Sequence, residues 1–147
     1  ARLGPCPAIL RAGAGTWAEQ PDMGANQWTT FVQRTLVDAA YPGVDGLAFA
    51  RPVAARARDG FIADIRHRLW RDFAIHPEGI RDPAAVVTHI APLARAGKAL
   101  GFDIASHPGR WRAAQLARDT GDSVLTPPLT LITHGGENRS FLLIHPV

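Results

Sequence analysis

The histidines and carboxylates of this 147-residue chain are the side chains best suited to chemistry. The six histidines are His67, His76, His89, His107, His134 and His145. A zinc or non-haem iron site needs three or four converging donors. No two of these histidines share a helical turn, or alternate along a strand, with a carboxylate beside them. The spacing therefore favours surface or internally bonded histidines, although a fold can gather distant residues. His76-Pro77-Glu78 and His145-Pro146 read as strand ends. Asp59 with Asp64, and Asp119 with Asp122, lie beside arginines on expected surfaces. A glycosidase pair stays open, with nothing to favour it. The single cysteine, Cys6, allows neither an internal disulfide nor a CxxC pair. There is no nucleophile elbow, phosphate loop, dinucleotide fingerprint or HExxH helix. Gly13-Ala14-Gly15 follows no strand. Asn138-Arg139-Ser140 matches a glycosylation acceptor, a very common triplet.

One carboxylate is oddly placed. Asp103 lies within residues 100–105, LGFDIA, an otherwise apolar segment that reads as a strand. Aspartate is disfavoured in strands, and a buried one must be paired or hydrogen-bonded. Two accounts stand. Either alternation turns Asp103 to solvent while Phe102 and Ile104 point inward, or Asp103 lines a pocket and accepts hydrogen bonds from a ligand's N–H groups.

The elements that would position these residues follow from periodicity. Residues 7–17 read as a short helix, with a loop to Gly24. Asn26 is a plausible N-cap for a helix whose Trp28, Phe31, Val32, Thr35, Leu36 and Ala39 share a face. That stripe around Trp28, Phe31 and Leu36 serves either the core or a dimer contact. Tyr41-Pro42-Gly43 ends the helix. Residues 44–50 read as a strand with Leu47 and Phe49 on one side. Residues 54–70 form a helix burying Phe61, Ile62, Ile65 and Leu69. Short strands are expected at 73–75, 86–93 and 100–105. Pro108 opens a further helix, capped by Ser106 or His107. It buries Trp111, Ala114, Leu116 and part of Ala117, turns Gln115 outward and stops at Gly121. Strands at 124–125, 129–133 and 140–144 follow, with 134–138 as a hairpin loop. The fold class is α+β.

Composition bounds the rest. At 46% hydrophobic and 20% charged, the chain is one domain with a real core, neither a disordered tail nor a coiled coil. No apolar run approaches the about 20 residues of a bilayer span. The net charge is +3, and fifteen of the sixteen basic residues are Arg, with Lys98 the exception. They are scattered rather than clustered with aromatics, so nucleic acid is not an expected partner. The chain begins without an apolar leader and reads as a piece of something longer. Its cysteine usage does not decide the compartment.

Four stretches, in order, resemble the CHASE domain, the extracytoplasmic sensory domain of histidine kinases and nucleotide-cyclase-type receptors. They are residues 41–53 (YPGVDGLAFARPV), 58–61 (RDGF) with the following helix, 99–108 (ALGFDIASHP) with the helix after it, and 117–129 (ARDTGDSVLTPPL). Residues 141–147, FLLIHPV, match a further strand. In the third stretch the family pattern places an Arg two residues after the Pro. The resemblance spans about residues 9–147, nearly the whole chain. It implies a long N-terminal helix followed by a PAS-like antiparallel sheet with flanking helices. Residues 1–147 then form one sensor domain, with 1–24 as lead-in, 25–95 as a helical and first PAS-like part, and 96–147 as a pocket-bearing part ending before the family's last strand.

The resemblance also implies a function. The domain is the periplasmic or extracytoplasmic input part of an inner-membrane receptor, held by flanking membrane helices outside this chain. As a family member it is expected to form a homodimer, to control a cytoplasmic histidine kinase or diguanylate cyclase, and not to be an enzyme itself. No cofactor or metal is expected. In the plant cytokinin receptors the equivalent pocket holds an adenine-type ligand, so a small molecule of that kind is an expected partner. Asp103 matches the strand Asp that binds the purine, Leu125 the residue giving backbone contacts, and Thr133 a pocket threonine; Phe102, Ala105 and Leu131 line the pocket by adjacency. Two alternatives remain: a dimerisation module without ligand, and a small hydrolase using Asp103 and His107.

Overall fold

The computed structural model describes residues 6–38, 46–126, 129–133, 136–140 and 143–147. Two helices come first, α1 (Cys6–Glu19) and α2 (Ala25–Asp38). Strand β1 (Leu47–Val53) leads through a 3₁₀ turn into α3 (Arg58–Arg68), and β2 (Ala84–Ala91) returns beside β1. A short α4 (Leu93–Ala96) precedes the long α5 (Pro108–Thr120). Four strands close the described chain: β3 (Val124–Leu125), β4 (Leu129–Thr133), β5 (Gly136–Ser140) and β6 (Leu143–Ile144). The architecture is α+β, as expected, with antiparallel pairs β1–β2, β3–β6 and β4–β5 among the described residues. No described helix is long and apolar enough to cross a membrane.

The β1–β2 ribbon is the spine. It runs from Leu47 opposite Ala91 to Val53 opposite Ala84. One end joins a core of Ile9, Trp17, Trp28 and Val32 from the first two helices and Met23 from the turn between them. The other end joins Ile65, Phe73 and Ile75 around α3. Covered on both faces, β2 is buried at all but Ala85, which explains its continuous apolar reading. Fully burying side chains of this size contributes about 1.5–3 kcal/mol each. A register shift at Phe49/Ala50 leaves Thr88 without a partner residue on β1, as a β-bulge does. Its carbonyl accepts the Trp70 indole N–H at 2.8 Å.

Several sequence expectations need correction. The N-terminal part is two fourteen-residue helices rather than one long helix. The second is capped through Gly24, not Asn26: Gln27 Oε1 accepts the Gly24 N–H at 2.7 Å, the returning half of a capping box. Trp28 of the apolar stripe is core, 3% exposed. Residues 73–75 form no strand. Phe73 N–H bonds to the Trp70 carbonyl, and the Phe73 carbonyl accepts from Arg66 Nε, so no ladder forms.

Residues 100–105 form no regular strand either. Gly101 has φ +81°, which breaks the extension. Phe102 and Asp103 make only isolated bridges, and Ile104–Ser106 turn into a 3₁₀ helix. In α5, Ala113 and Ala117 face the core while Leu116 is 50% exposed. The helix thus lies on small residues rather than on Trp111, Ala114 and Leu116, and Gln115 is half-buried. Its boundaries follow the sequence signals: Pro108 opens it, His107 caps it and Gly121 ends it at φ +74°. Of the last expected strand, Ser140 belongs to β5 and Leu143–Ile144 form β6, while residues 141–142 lie outside the described residues; β5 occupies part of the expected hairpin loop. Residues 39–45, which hold the expected helix stop and the start of the first strand, lie outside the described residues.

Candidate functional site

The candidate site is the turn carrying Phe102, Asp103 and Ala105. Backbone bonds stitch it between two neighbours. On one side Gly101 N–H donates to the Val87 carbonyl at 2.8 Å, and Val87 N–H donates to the Phe102 carbonyl at 3.0 Å. On the other, Asp103 N–H donates to the His76 carbonyl at 2.8 Å, and His76 N–H to the Gly101 carbonyl at 3.0 Å. Only glycine fits position 101. A Cβ there would stand 1.9 Å from the Ala74 carbonyl oxygen. The His76 ring adds a bond from Nε2 to the Leu100 carbonyl at 2.7 Å, which sets its tautomer.

Asp103 is completely buried, 0% exposed, so the solvent-facing account is wrong. The cause is the turn: its side chain caps the backbone it sits on. Oδ1 accepts the Ala105 N–H at 2.9 Å and the Ala85 N–H at 3.0 Å. Oδ2 accepts from Arg81 at 3.1 Å. The Asp103 carbonyl accepts both the N–H and the hydroxyl of Ser106. The carboxylate therefore fastens β2, the turn and the 77–83 loop together, and a buried charge so paired is costly to disturb. Arg81, 26% exposed in its side chain, is the one of its partners that reaches solvent as a side chain.

Phe102 is half-buried. The His76 ring meets it edge-on at 5.9 Å, and the Arg110 guanidinium lies over it, 4.7 Å from its centroid. Such a cation–π contact attracts the guanidinium to the ring face. Arg110 Nε is buried without a hydrogen-bond partner, and burial pushes the group's pKa below the usual arginine value. Ala105 is half-buried beside Asp103.

The remaining expected site residues lie on β3 and β4. Leu125 lies on β3, opposite Leu143, and is 40% exposed. Leu131 and Thr133 lie on β4, opposite Asn138 and Gly136; their side chains are outside the described ones. The structure thus brings Phe102, Asp103 and Ala105 together. Asp103 and His107 have separate tasks: His107 Nδ1 accepts the Arg110 N–H at 3.2 Å. No cluster of three or more potential metal ligands occurs among the described residues. Two open grooves, of about 440 and 390 Å³, flank α2 instead, the first under Thr30 and Arg34 and the second between Gly24 and Trp70. Both are shallow and neither includes the Asp103 turn.

Sequence reasoning misses Arg81, whose role depends on a fold contact 22 positions away. It also gives Arg110 no role, although the third resembling stretch contains it. Nothing in the spacing singles out His89. That residue is 3% exposed, donates from Nε2 to the Met23 carbonyl at 2.7 Å and accepts from the Thr88 hydroxyl at Nδ1, 2.8 Å.

Compared with models of protein families, residues 21–147 match the CHASE domain. Comparison with curated proteins returns no match.

Proposed function

Since this chain belongs to the CHASE domain family, a sensory extracellular domain of signalling receptors, we propose that it is the ligand-binding input part of a transmembrane receptor. It stands on the periplasmic side, has a PAS-like architecture, works as a homodimer and relays occupancy to a cytoplasmic histidine kinase or diguanylate cyclase. A sensory domain of this family is not itself the catalytic part.

The ligand is a small molecule, and its recognition surface is the Phe102–Asp103–Ala105 turn, extended by Leu125, Leu131 and Thr133. One observation carries this placement. Oδ1 of Asp103 is committed to two backbone N–H groups, but Oδ2 is held by a side chain, Arg81, that is partly exposed. A ligand N–H can take that acceptor when Arg81 swings away, leaving the Ala85 and Ala105 bonds to Oδ1 in place. Binding then releases the 77–83 loop, and the two loop positions are the two states that a ligand must distinguish in order to signal.

The test is thermal unfolding of the domain with purines, cytokinins, amino acids and small acids, wild type beside Arg81→Ala. A Tm that climbs with ligand concentration reports native-state binding. Arg81→Ala, which removes the competitor, strengthens that response. Equal responses in both proteins would remove Asp103 from the ligand site, and no response to any compound would favour a dimerisation module.

A further inference from the structure

Arg110 is a charge without a counter-ion among the described residues. The ion pairs described join Arg68 to Asp64, Arg81 to Asp103, and Arg118 to Asp119. The Arg110 side chain makes no hydrogen bond to a described residue; its Nε–H is buried and unpartnered. The residue as a whole is half-buried. Phe102 supports the guanidinium from below at 4.7 Å. The backbone beneath is fixed, because Arg110 N–H bonds to His107 Nδ1 and Phe102 is stitched to Val87. Partial desolvation strengthens any charge-assisted bond that this group makes.

From this the geometry points to Arg110 as an oxyanion anchor: the ligand carries a carboxylate, which docks end-on against the two terminal amino groups while the Phe102 ring supports the guanidinium. One guanidinium neutralises one charge, which favours a carboxylate over a phosphate dianion. The inference rests on the sensory reading above and narrows its ligand class from small molecules in general to carboxylate-bearing ones. Arg rather than Lys suits the position, because a planar fork both stacks on a ring and pairs with two oxygens.

The experiment follows the Arg110 Nε–H resonance of the ¹⁵N-labelled domain. Acetate and benzoate are titrated in, with inorganic phosphate and adenine as separate arms. The expected result is a saturable shift of Arg110 Nε–H with the carboxylates, stronger with benzoate than acetate, and little with phosphate or adenine. Arg110→Lys, with unchanged Tm, then weakens carboxylate binding by about tenfold or more. An unmoved Arg110 signal, or equal shifts at all surface arginines, overturns the anchor. If adenine binds while the carboxylates leave Arg110 still, the sensory reading survives and the oxyanion inference falls. If phosphate alone shifts Arg110, the carboxylate class is wrong.

Discussion

His89 Nε2 donates to the Met23 carbonyl oxygen at 2.7 Å, a bond that spans 66 positions of the chain. It pins β2 to the turn between α1 and α2, with Trp17 edge-on to the His89 ring at 4.6 Å. Burial lowers the His89 pKa from 6.5; the bond to Met23 opposes this, and Arg51 and Arg68 lower it further. Because the folded state holds the neutral ring, the unfolded chain binds the proton more readily. Stability from His89 is therefore full above about pH 6.5 and is lost as pH falls through the lowered value. Urea unfolding across this range will show wild type losing stability toward acid faster than His89→Gln, which keeps an N–H donor and cannot titrate. Parallel curves for the two proteins would dismiss this role.

Asp103 predicts a sharp difference between two substitutions. Asp103→Asn keeps an oxygen for the Ala85 and Ala105 N–H groups and loses the charge facing Arg81. Asp103→Ala leaves both buried N–H groups without an acceptor, at about 1–3 kcal/mol for each. The alanine variant should be less stable than the asparagine variant by about 2 kcal/mol or more. Denaturant midpoints decide it, and equal values would mean that the two N–H groups find other acceptors.

The same residues show what was legible in the sequence. Helices α3 and α5 were, because apolar spacing and the punctuation at Pro108 and Gly121 are local signals. The family was legible too, from stretches that include Asp103 and Arg110. The state of Asp103 was not. Strand alternation suggested solvent, but its acceptors are filled from Ala85, 18 positions away, and Arg81, 22 away. The inward face of α5 was hidden for a similar reason: the contact with the rest of the fold selects Ala113 and Ala117, and apolar spacing alone selected the larger Leu116.

Two glycines with positive φ should respond very differently to alanine. At Gly121 a Cβ meets nothing within 4 Å, so the cost is the left-handed backbone alone, about 1–2 kcal/mol. At Gly101 a Cβ would collide with the Ala74 carbonyl oxygen, and the turn holding Asp103 must move. Gly121→Ala should fold with a modestly lower Tm, while Gly101→Ala should lose cooperative unfolding or solubility. A Gly101→Ala protein as stable as Gly121→Ala would contradict the packing of this turn against residue 74.

Trp17 and Trp28 offer a matched pair, each 3% exposed in the same core. The Trp28 indole N–H donates to the Leu47 carbonyl at 3.1 Å, whereas the Trp17 indole N–H is buried without a partner. Replacing either by Phe removes a similar volume, so the loss of packing is comparable. Trp28→Phe also strands the Leu47 carbonyl, while Trp17→Phe discards an unpaired donor and keeps an aromatic ring for the stack on Phe49, now 3.8 Å between centroids. Trp28→Phe should therefore be the more destabilising change, by about 1–3 kcal/mol. Equal losses in urea unfolding would mean that the Trp17 N–H has an acceptor after all, and would remove the one polar defect assigned to this core.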